Sequence, residues 1–543
     1  MCGILFCCST DKNIVDDVKK NFYLFQYRGP DESVAVEFKS SEMYYFFGFH
    51  RLAIIGIDTG NQPFRSNGNY LMCNGEIYNY KELQGNHEMV ECSSDCEIIL
   101  KLYEKFSSKT DNKNSDGDGM NQVIQQIRGE YAFVLLDTHK NKLFIGRDIF
   151  GIRPLFYTRF DTTTIVSSEQ FPAFREENGY NLFQFPPKTV HEISISNAFE
   201  RTSYIIPLPR TLIRSVKYSL IDAVARRLQS EKQIGFLLSG GLDSSLVLAI
   251  AVSIKGKSIP YNVFSIGFDD PDKSPDIIYA KKVVEFLEEK YKVKINHHIV
   301  CPTIKQGIDA IPRVIKHLAT YDTTTVRAST PMFLLAEYIK ENTDVKVILT
   351  GEGADECQGG YLYFHYAPSK EDHMNERWKL LDNIHYFDVL RADRCLSAFG
   401  LECRVPYLDE DFISSIMGQD LYSPDKIEKY YIREIFDSSD GSDYLPREVL
   451  YRQKDAFSNA VAYSYVNTLK KEFEFEQPHP ESKNLYPLPR TGEENYYQKW
   501  YIEYFWVQSC IPYFWLPNQD WIKVSDSSAC ELPIHNKNKT DDE

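Results

Sequence analysis

Residues 234–245 read Ile-Gly-Phe-Leu-Leu-Ser-Gly-Gly-Leu-Asp-Ser-Ser, and this stretch indicates the architecture of the second half of the chain. A short apolar run at 234–238 ends in two glycines, and an apolar helical run follows at 245–253. A buried strand that turns through glycines into a helix is the repeating unit of a parallel α/β sheet. Because this texture begins at about Tyr218, we expect a parallel α/β domain from there onward.

The turn at 239–241 has the chemistry of a phosphate site. Backbone N–H groups and hydroxyls at the start of a helix suit a polyphosphate. The stretch lacks the lysine of a Walker loop and the spacing of a Rossmann fingerprint, which excludes both. It resembles the pyrophosphate loop of ATP pyrophosphatases, which cleave ATP between the α- and β-phosphates. Residues 347–356 again end a strand in glycines, now with three carboxylates, where open α/β sheets bind ligands.

The first 200 residues have a different sequence pattern, in which short β-rich runs alternate with glycine or proline turns. The runs are Tyr44–Phe49, Tyr70–Cys73, Ala132–Asp137 and Leu143–Arg147. This spacing predicts antiparallel sheets with a few helices. The texture changes beside Pro207-Leu208-Pro209. We therefore expect one domain over residues 2–205, a second over 210–525 and a flexible tail over 526–543.

The amino terminus offers a candidate nucleophile. If Met1 is trimmed, Cys2 carries both a thiol and a free α-amine, whose pKa near 7.7 to 8 lets it act as the base that activates the thiol. Downstream, Arg51 ends a strand with a cation suited to a substrate carboxylate. Residues Asn74–Asn79 are predicted to form a turn that offers an amide and an unhindered backbone N–H to an oxyanion. Asp95 could hold a substrate ammonium group.

Together these residues resemble the class II glutamine amidotransferases, which implies an α+β antiparallel sandwich of the amino-terminal nucleophile hydrolase type. The resemblance implies that the Cys2 thiolate forms a γ-glutamyl thioester and that Asn74 and Gly75 make the oxyanion hole. It also implies a glutamine site in which Arg51 binds the α-carboxylate and Glu76 and Asp95 lie near the α-amine. The glutamine-binding residues it implies are Arg51, Leu52, Ala53, Ile54, Ile55, Asn74, Gly75, Glu76 and Asp95. Several unrelated synthases use this domain, so this half alone implies only a glutaminase.

The second half resembles the asparagine synthetases at residues 321–329, 387–394, 400–409 and 454–458. The matches extend from Cys2 to near Trp521. The resemblance implies that Glu352 supports formation of β-aspartyl-AMP, that Lys454 stabilises charge on the phosphate, and that Asp388 and Arg391 belong to the aspartate site. Asp243 and Asp355 would serve magnesium. The ATP-binding residues it implies are Leu238, Ser239, Gly240, Gly241, Asp243, Ser244, Ser245, Ile266, Thr350 and Gly351.

Two departures from the family pattern lie in this half. Thr350 stands where the family usually has serine, and Asn459 and Ala460 replace its usual Asp-Gly. Threonine keeps the hydroxyl, so we expect little loss from the first change. The second change lies near Lys454 and could alter turnover.

Composition and charge exclude other classes of function. The net charge of -16 and the pI of about 5.4 argue against a nucleic-acid or membrane surface. The sequence has no apolar stretch of transmembrane length and no signal peptide, so we expect a cytoplasmic protein with its twelve cysteines reduced. Cys92 and Cys96 lack the partners of a zinc site, and the polar segment 107–119 lacks the glutamate of a calcium loop, so we interpret it as a mobile surface loop.

The resemblance therefore implies an enzyme that makes asparagine from aspartate, glutamine and ATP, releases glutamate, AMP and pyrophosphate, and forms a homodimer. Two alternatives stay open. One is a ligase that activates another carboxylate, as β-lactam-forming relatives do, but those lack the nucleophilic cysteine. The other is a catalytically silent paralogue that acts as an interaction protein, which the retention of Cys2, Arg51, Asn74 and Lys454 disfavours.

Overall fold

The computed structural model of the chain describes residues 1–108, 118–170, 181–195, 201–209, 215–438, 443–453, 463–505 and 510–524. The chain divides into two compact units. Unit 1 comprises Met1–Pro209, Gln229–Lys232 and Ser397–Glu402, and unit 2 comprises Arg210–Leu228, Gln233–Leu396 and Cys403–Glu543. Unit 1 thus includes two short segments from later in the chain, which the sequence analysis did not anticipate. Among the described residues, no helix has both the length and the apolar character needed to cross a bilayer.

Unit 1 contains two six-stranded sheets. Its strands are β1 (Gly3–Ser9), β2 (Glu32–Ser40), β3 (Met43–Arg51), β4 (Phe64–Ser66), β5 (Asn69–Ile77), β6 (Gly129–Asp137), β7 (Lys142–Arg147), β8 (Phe156–Phe160), β9 (Thr163–Ser167), β10 (Phe183–Gln184), β11 (Thr189–Ser194) and β12 (Arg201–Ile205). The strand orders are β10-β8-β9-β1-β3-β2 and β12-β11-β7-β6-β5-β4. The described pairings in both sheets are antiparallel, as the short alternating runs predict.

The two sheets of unit 1 pack face to face, because residues of both belong to one apolar cluster. The cluster includes Ile4, Phe6, Met72, Val134 and Ile145. Among the described residues of unit 1, four α-helices accompany the sheets, at α1 (Lys12–Lys20), α2 (Tyr80–Asn86), α3 (Glu97–Ser107) and α4 (Asp118–Gln126). Alternate residues of β1 point the other way, where Leu5 and Cys7 pack against Val15 and Val18 of α1. β1 is therefore buried on both faces, which makes it a rigid base for the residue before it, Cys2.

Unit 2 is an α/β domain. Its sheet contains β13 (Ile234–Leu237), β14 (Tyr261–Ile266), β15 (Ile295–Val300), β16 (Val347–Leu349) and β17 (Glu402–Arg404), in the order β15-β14-β13-β16-β17. β13 pairs in parallel with both β14 and β16. The chain thus runs outward from β13 to β15 and then returns to the other side of β13. The carboxyl ends of β13 and β16 meet at this reversal, which is where open α/β sheets bind ligands.

Helices account for most of the rest of unit 2. They are α5 (Val216–Arg227), α6 (Leu242–Lys255), α7 (Pro275–Tyr291), α8 (Ile304–Leu318), α9 (Thr323–Asn342), α10 (Ala354–Gln358), α11 (Lys370–Asn383), α12 (Asp388–Ser397), α13 (Glu410–Met417), α14 (Tyr430–Phe436), α15 (Arg447–Leu450), α16 (Tyr463–Glu472) and α17 (Gly492–Phe505). The predicted strand and helix around the 239–241 turn are confirmed, and α6 begins three residues earlier than the apolar pattern indicated.

One local prediction is wrong. Residues Asn74–Ile77 do not form a turn but lie in β5, where Gly75 pairs with Tyr131 of β6. The Asn-Gly dipeptide favours a turn locally, but the nine-residue ladder between β5 and β6 overrides that preference. Most of the 107–119 loop and the tail from 525 onward lie outside the described residues.

A buried ion pair between α9 and α17 gives a test of the packing in unit 2. Arg327 donates to both carboxylate oxygens of Glu493 at 2.7 and 2.6 Å, and Tyr497 donates to the same carboxylate at 2.6 Å. Glu493→Ala leaves the Arg327 charge buried without this partner, so we expect the free energy of unfolding to fall by about 3 to 5 kcal/mol. Urea denaturation of the full chain measures this. Lys305→Ala, which removes an exposed pair with Asp309, should leave the midpoint unchanged.

Candidate active sites

Cys2 is held in unit 1 by four hydrogen bonds, one of which runs from its thiol to the Leu52 carbonyl oxygen at 3.8 Å. Its backbone nitrogen donates to Asn74 Oδ1 at 2.9 Å, and its carbonyl accepts from Arg28 Nε at 3.0 Å. Its Sγ accepts from the Leu52 backbone nitrogen at 3.5 Å. The structure therefore brings the predicted nucleophile together with two of its predicted partners, Asn74 and Leu52. Arg28, which the sequence analysis treated as part of a turn, is fully buried and positions the Cys2 backbone.

Asn74 provides an amide nitrogen that has no hydrogen-bond partner among the described residues, and Gly75 follows it in β5. Asn74 is fully buried, and its Nδ2 finds no hydrogen-bond partner among the described residues, whereas its Oδ1 holds Cys2. Gly75 has a φ of +150°, and a Cβ there would lie 2.0 Å from the Glu130 carbonyl oxygen. The close approach of β6 thus requires glycine at this position. An unpaired amide N–H next to a thiol is the arrangement that an oxyanion intermediate needs.

The predicted glutamine-binding residues from Arg51 to Ile55 lie at and just after the end of β3, where Leu52 contacts Cys2. Arg51 is buried, and its guanidinium donates to the carbonyls of Gly56 at 2.5 Å and Ile57 at 2.9 Å and to Asn61 Oδ1 at 2.6 Å. These bonds fix the head group of a cation that could receive a carboxylate. The three residues after Leu52, which are Ala53, Ile54 and Ile55, follow the end of β3 and are buried or half-buried.

Two buried carboxylates lie in the same unit. Asp95 accepts from the Ile77 backbone nitrogen at 2.7 Å and from Ser94 Oγ at 2.8 Å, and burial raises its pKa above the ordinary range. Glu76, in β5, is also buried, and its charge contributes to raising the pKa of the Cys2 thiol. Fixed anions of this kind can bind an ammonium group.

The ionisation of Cys2 depends on its burial. With Met1 attached, desolvation raises the pKa of the Cys2 thiol to about 11 and lowers the pKa of the Met1 amine to about 6. The Cys2 nitrogen is then part of a peptide bond and cannot accept a proton from the thiol. The thiol is therefore predominantly protonated at neutral pH in this form.

A cleft in unit 2 opens at the carboxyl ends of β13, β14 and β16. Eight of the ten predicted nucleotide residues line it, namely Leu238, Ser239, Gly241, Asp243, Ser244, Ile266, Thr350 and Gly351. The other two, Gly240 and Ser245, are not among the lining residues, and Ser245 is fully buried. Glu352, Asp355 and Arg391 also line the cleft.

Glycines bring the two loops of the cleft into contact. A Cβ on Gly351 would lie 2.9 Å from the Ser244 backbone nitrogen, so the loop after β16 touches the start of α6. Gly240 has a φ of +68°, and a Cβ there would lie 2.5 Å from the Ala280 nitrogen of α7. Its role is thus to let α7 approach the loop. Thr350 Oγ1 accepts from the Glu352 nitrogen at 3.3 Å, a bond that serine could also make.

Lys429 also lines the cleft, although the sequence did not predict it. Its ammonium group forms ion pairs with Asp243 and, at 2.6 Å, with Asp355, the two predicted magnesium ligands. Burial disfavours its charge, but these carboxylates outweigh that effect and raise its pKa. Asp243 Oδ1 has no hydrogen-bond partner among the described residues. The sequence around Lys429 carries no glycine turn or strand end, so nothing local marked it.

The predicted aspartate residues, Asp388 and Arg391, form a second charged group, of which Arg391 lines the cleft. Arg391 donates to Glu352 at 2.5 Å and forms an ion pair with Asp388 at 3.0 Å. Burial raises the pKa of Glu352, although Arg391 opposes the shift. Next to them, Tyr361 donates to Glu356, whose pKa burial also raises. The structure thus brings Glu352, Asp388 and Arg391 together.

Lys454, Asn459 and Ala460 lie outside the described residues. The two residues before Lys454, Arg452 and Gln453, line the cleft, and Arg452 pairs with Asp276 at 2.9 Å. Arg433 lines it as well. Neither arginine was predicted from the sequence to have a role. Among the described residues, no cluster of three or more His, Cys, Asp or Glu side chains could hold a metal ion on its own.

Comparisons with known proteins agree with this two-site arrangement. The family model described as "Glutamine amidotransferase domain" matches residues 1–220, and the model described as "Asparagine synthase" matches residues 215–382 and 367–510. A probable asparagine synthetase [glutamine-hydrolyzing] of Acanthamoeba polyphaga mimivirus is 37% identical over 93% of this chain and 95% of its own length. The asparagine synthetase [glutamine-hydrolyzing] of Homo sapiens is 35% identical over 93% of this chain and 94% of its own length. That of Asparagus officinalis is 35% identical over the whole chain and 92% of its own length.

The raised pKa of Cys2 gives a test by alkylation. Because the thiolate is the reactive species, its fraction in the folded protein that carries Met1 should grow about tenfold per pH unit up to about pH 10. We expect the rate of Cys2 modification by iodoacetamide, followed by peptide mass spectrometry, to rise throughout this range. In urea the thiol returns to an ordinary pKa of about 8.5, and the rate should level off near pH 9. Levelling at the same pH in the folded protein would contradict the burial argument.

Proposed function

The chain belongs to the glutamine-hydrolysing asparagine synthetase family, and from that premise we propose how its residues divide the reaction. The enzyme makes asparagine from aspartate, with glutamine as the nitrogen donor and ATP as a substrate. The proposed sequence of steps has two parts. Glutamine is hydrolysed in unit 1 to glutamate and ammonia, and ammonia then attacks a β-aspartyl-AMP intermediate formed in unit 2, with release of AMP and pyrophosphate. Two observations together support this division. Unit 1 places a thiol beside an amide donor that has no partner among the described residues, and unit 2 contains a cleft bordered by glycine loops.

Cys2 is the nucleophile of the proposed glutaminase step. Removal of Met1 turns the Cys2 nitrogen into an amine, which can accept the thiol proton and leave a thiolate. The nitrogen already donates to Asn74 Oδ1, which would hold the resulting ammonium group in place. Sγ attacks the side-chain amide carbon of glutamine, and the departing ammonia takes a proton. Water then releases glutamate from the thioester.

Asn74 and Gly75 stabilise the tetrahedral intermediates of both steps. The free Nδ2 of Asn74 donates to the oxyanion, and the backbone of Gly75 approaches without a side chain. Arg51, already fixed by three acceptors, binds the α-carboxylate of glutamine. Glu76 and Asp95 bind its α-ammonium group. The segment Leu52–Ile55 forms an apolar wall beside the substrate.

In unit 2 the nucleotide lies in the cleft. Leu238 and Ile266 flank the base, and the backbone of Thr350 and Gly351 encloses it. The turn at 239–241 and the start of α6 receive the β- and γ-phosphates, because free N–H groups at a helix start attract anions. Ser244 supplies a hydroxyl group near this start, whereas Ser245 is buried and does not line the cleft. The β-carboxylate of aspartate attacks the α-phosphorus, and the bond to pyrophosphate breaks.

Aspartate binds beside the nucleotide, against the charged group around Arg391. The guanidinium of Arg391 receives a carboxylate of aspartate, and Asp388 receives its ammonium group, since each offers the opposite charge. Glu352 supports formation of the acyl-adenylate and then takes a proton from the attacking ammonia. Burial raises the pKa of Glu352, which makes its carboxylate a better proton acceptor than a solvated one. Lys454 stabilises the negative charge that builds on the phosphate.

Magnesium fits the carboxylates of Asp243 and Asp355. Asp243 Oδ1 has no partner among the described residues, and both side chains line the cleft, where phosphate oxygens would complete the coordination. The ion would neutralise charge on the pyrophosphate leaving group. Lys429, which contacts both carboxylates, would share this neighbourhood and contact the pyrophosphate as a second cation.

Three further properties are part of the proposal. We assign residues 2–205 to the glutaminase domain, 210–525 to the synthetase domain and 526–543 to a flexible tail. A cytoplasmic location is supported by the cysteines, since those that the structure describes are free thiols. A homodimer rests on the family resemblance, and light scattering of the purified protein measures it.

The maturation step has a direct test. The working enzyme should begin at Cys2, because Met1 would keep the required amine in a peptide bond. Intact-mass measurement of the active protein shows whether Met1 is present. Full glutaminase activity in protein that still carries Met1 would contradict the proposed role of the amine.

Replacing the nucleophile separates the two half-reactions. Cys2→Ala should abolish glutamine-dependent synthesis but keep synthesis from added ammonia within about twofold, since the ATP cleft does not use the thiol. Product analysis with aspartate, ATP, magnesium and either nitrogen source measures both activities. Equal loss of both would show that the two sites are not chemically distinct, and an adenylate formed with another carboxylate in place of aspartate would identify a different ligase.

Lys454→Ala should cripple synthesis and leave glutamine hydrolysis measurable. A cation placed against charge that develops in the transition state contributes about 3 kcal/mol or more, which corresponds to a rate loss of at least a hundredfold. Steady-state rates with ammonia as the nitrogen source, beside glutaminase rates in the same preparation, measure this. The control is Lys273→Ala, which changes a lysine whose side chain is 84% exposed. Unchanged synthesis would remove Lys454 from the catalytic residues.

A further inference from the structure

The peptide bond between Leu238 and Ser239 is held on both sides by side chains. It lies where β13 ends and the glycine turn of the cleft begins. The Leu238 carbonyl accepts a hydrogen bond from Ser265 Oγ at 2.6 Å, and the Ser239 nitrogen donates to Ser244 Oγ at 3.2 Å. Because a peptide unit is planar, these two bonds fix the orientation of the whole unit. These two hydrogen bonds therefore fix the direction in which the chain leaves β13 and enters the 239–241 turn.

Ser265 acts from the neighbouring strand. It belongs to β14, which is parallel to β13, and the Leu238 nitrogen donates to the carbonyl of Phe264 at 2.9 Å. Ser265 and Leu238 both line the cleft, yet Ser265 is only 3% exposed. Ser265 is therefore a buried residue at the wall of the cleft.

A third residue, His297, fixes the proton of Ser265. The hydroxyl has one hydrogen, and Leu238 contributes a carbonyl oxygen, which can only accept. The hydrogen of Ser265 must therefore point to Leu238. His297 Nε2 lies 2.8 Å from the same Ser265 oxygen, so it must carry a hydrogen and donate it. This chain of donors runs from His297 through Ser265 to the Leu238 carbonyl, in one direction.

The setting of His297 keeps that direction constant. His297 lies on β15, paired opposite Val263 of β14, and so shares a sheet face with Ser265. Burial lowers the pKa of His297 to about 4, with smaller contributions from His298 and Lys281. The ring is thus neutral at physiological pH, and its tautomer is set by the bond to Ser265.

We propose that Ser265 and His297 are positioning residues for the nucleotide, which hold the Leu238–Ser239 peptide in the orientation that the bound base and phosphates require. The inference rests on the proposed assignment of the cleft to ATP. Neither residue needs to touch the reacting atoms. Without the Ser265 bond, the Leu238 carbonyl loses its buried donor, and the peptide unit can rotate with the turn that follows it.

The expected effect is on nucleotide affinity. Ser265→Ala removes the donor to Leu238, and His297→Phe removes the donor to Ser265 while keeping an aromatic ring. Each should raise the KM for ATP about tenfold, the size expected for one buried hydrogen bond, with kcat and the KM for aspartate within about twofold. His297→Gln, whose amide nitrogen can replace Nε2 as the donor, should stay near the parent value.

Ammonia-dependent synthesis by the full chain, with ATP and aspartate varied separately, measures these constants. An unchanged KM for ATP in both Ser265→Ala and His297→Phe overturns the inference, as does an equal change in kcat and in both KM values. Failure of His297→Gln to restore the parent KM overturns the role of His297. If Ser265→Ala does not fold, His297→Phe and His297→Gln provide the same comparison.

Asp243→Asn separates this inference from the assignment on which it rests. If Asp243→Asn abolishes ATP-dependent synthesis while the Ser265 and His297 variants keep the parent KM for ATP, the cleft assignment stands and the positioning inference fails. If Asp243→Asn leaves synthesis and the KM for ATP unchanged, the cleft is not the nucleotide site, and both fail together.

Discussion

The contact between two glycine-containing loops is the constraint on which the synthetase half depends. Parallel strands bring the ends of β13 and β16 side by side at the point where the strand order reverses. There Gly351 lies so close to the start of α6 that a Cβ would be 2.9 Å from the Ser244 nitrogen. Because the loops touch, Asp243 and Asp355 can both reach Lys429. A bulkier residue at 351 would separate the loops and with them the charged groups.

The glutaminase half depends on an equivalent constraint, which is the close approach of antiparallel strands. β6 leaves no room for a side chain at Gly75, and the adjacent Asn74 is buried beside Cys2. Since β1 is packed on both faces, Cys2 precedes a strand that cannot move independently. Both sites therefore use glycine for the same physical reason: backbone must approach backbone to place a polar side chain next to it.

The sequence predicted the strands named next because each left a local pattern, whereas the roles of the site residues rest on the family resemblance and stay predictions. Apolar runs that end in glycine predicted β13 and β16, and the alternating runs predicted β3, β5, β6 and β7. The prediction of a turn at Asn74 was wrong because the Asn-Gly dipeptide favours a turn locally, while the pairing of β5 with β6, which is a long-range contact, holds these residues in a strand. Lys429 and His297 could not be found at all, since their partners, Asp243 and Ser265, are 186 and 32 residues away along the chain.

The charged side chains that the structure describes in the cleft are paired with opposite charges, and this bears on how the cleft selects ligands. Lys429 is paired with Asp243 and Asp355, Arg391 with Glu352 and Asp388, and Arg452 with Asp276. A phosphate or carboxylate that enters must compete with a fixed anion for each cation. A neutral ligand offers no charge to replace the one that an ion pair in the cleft would lose. An anion bound with a divalent cation offers a negative partner to the cation of the pair and a positive partner to its carboxylate. Paired charges therefore favour ligands that bring both signs, as a magnesium nucleotide and the zwitterion aspartate do, over simple anions.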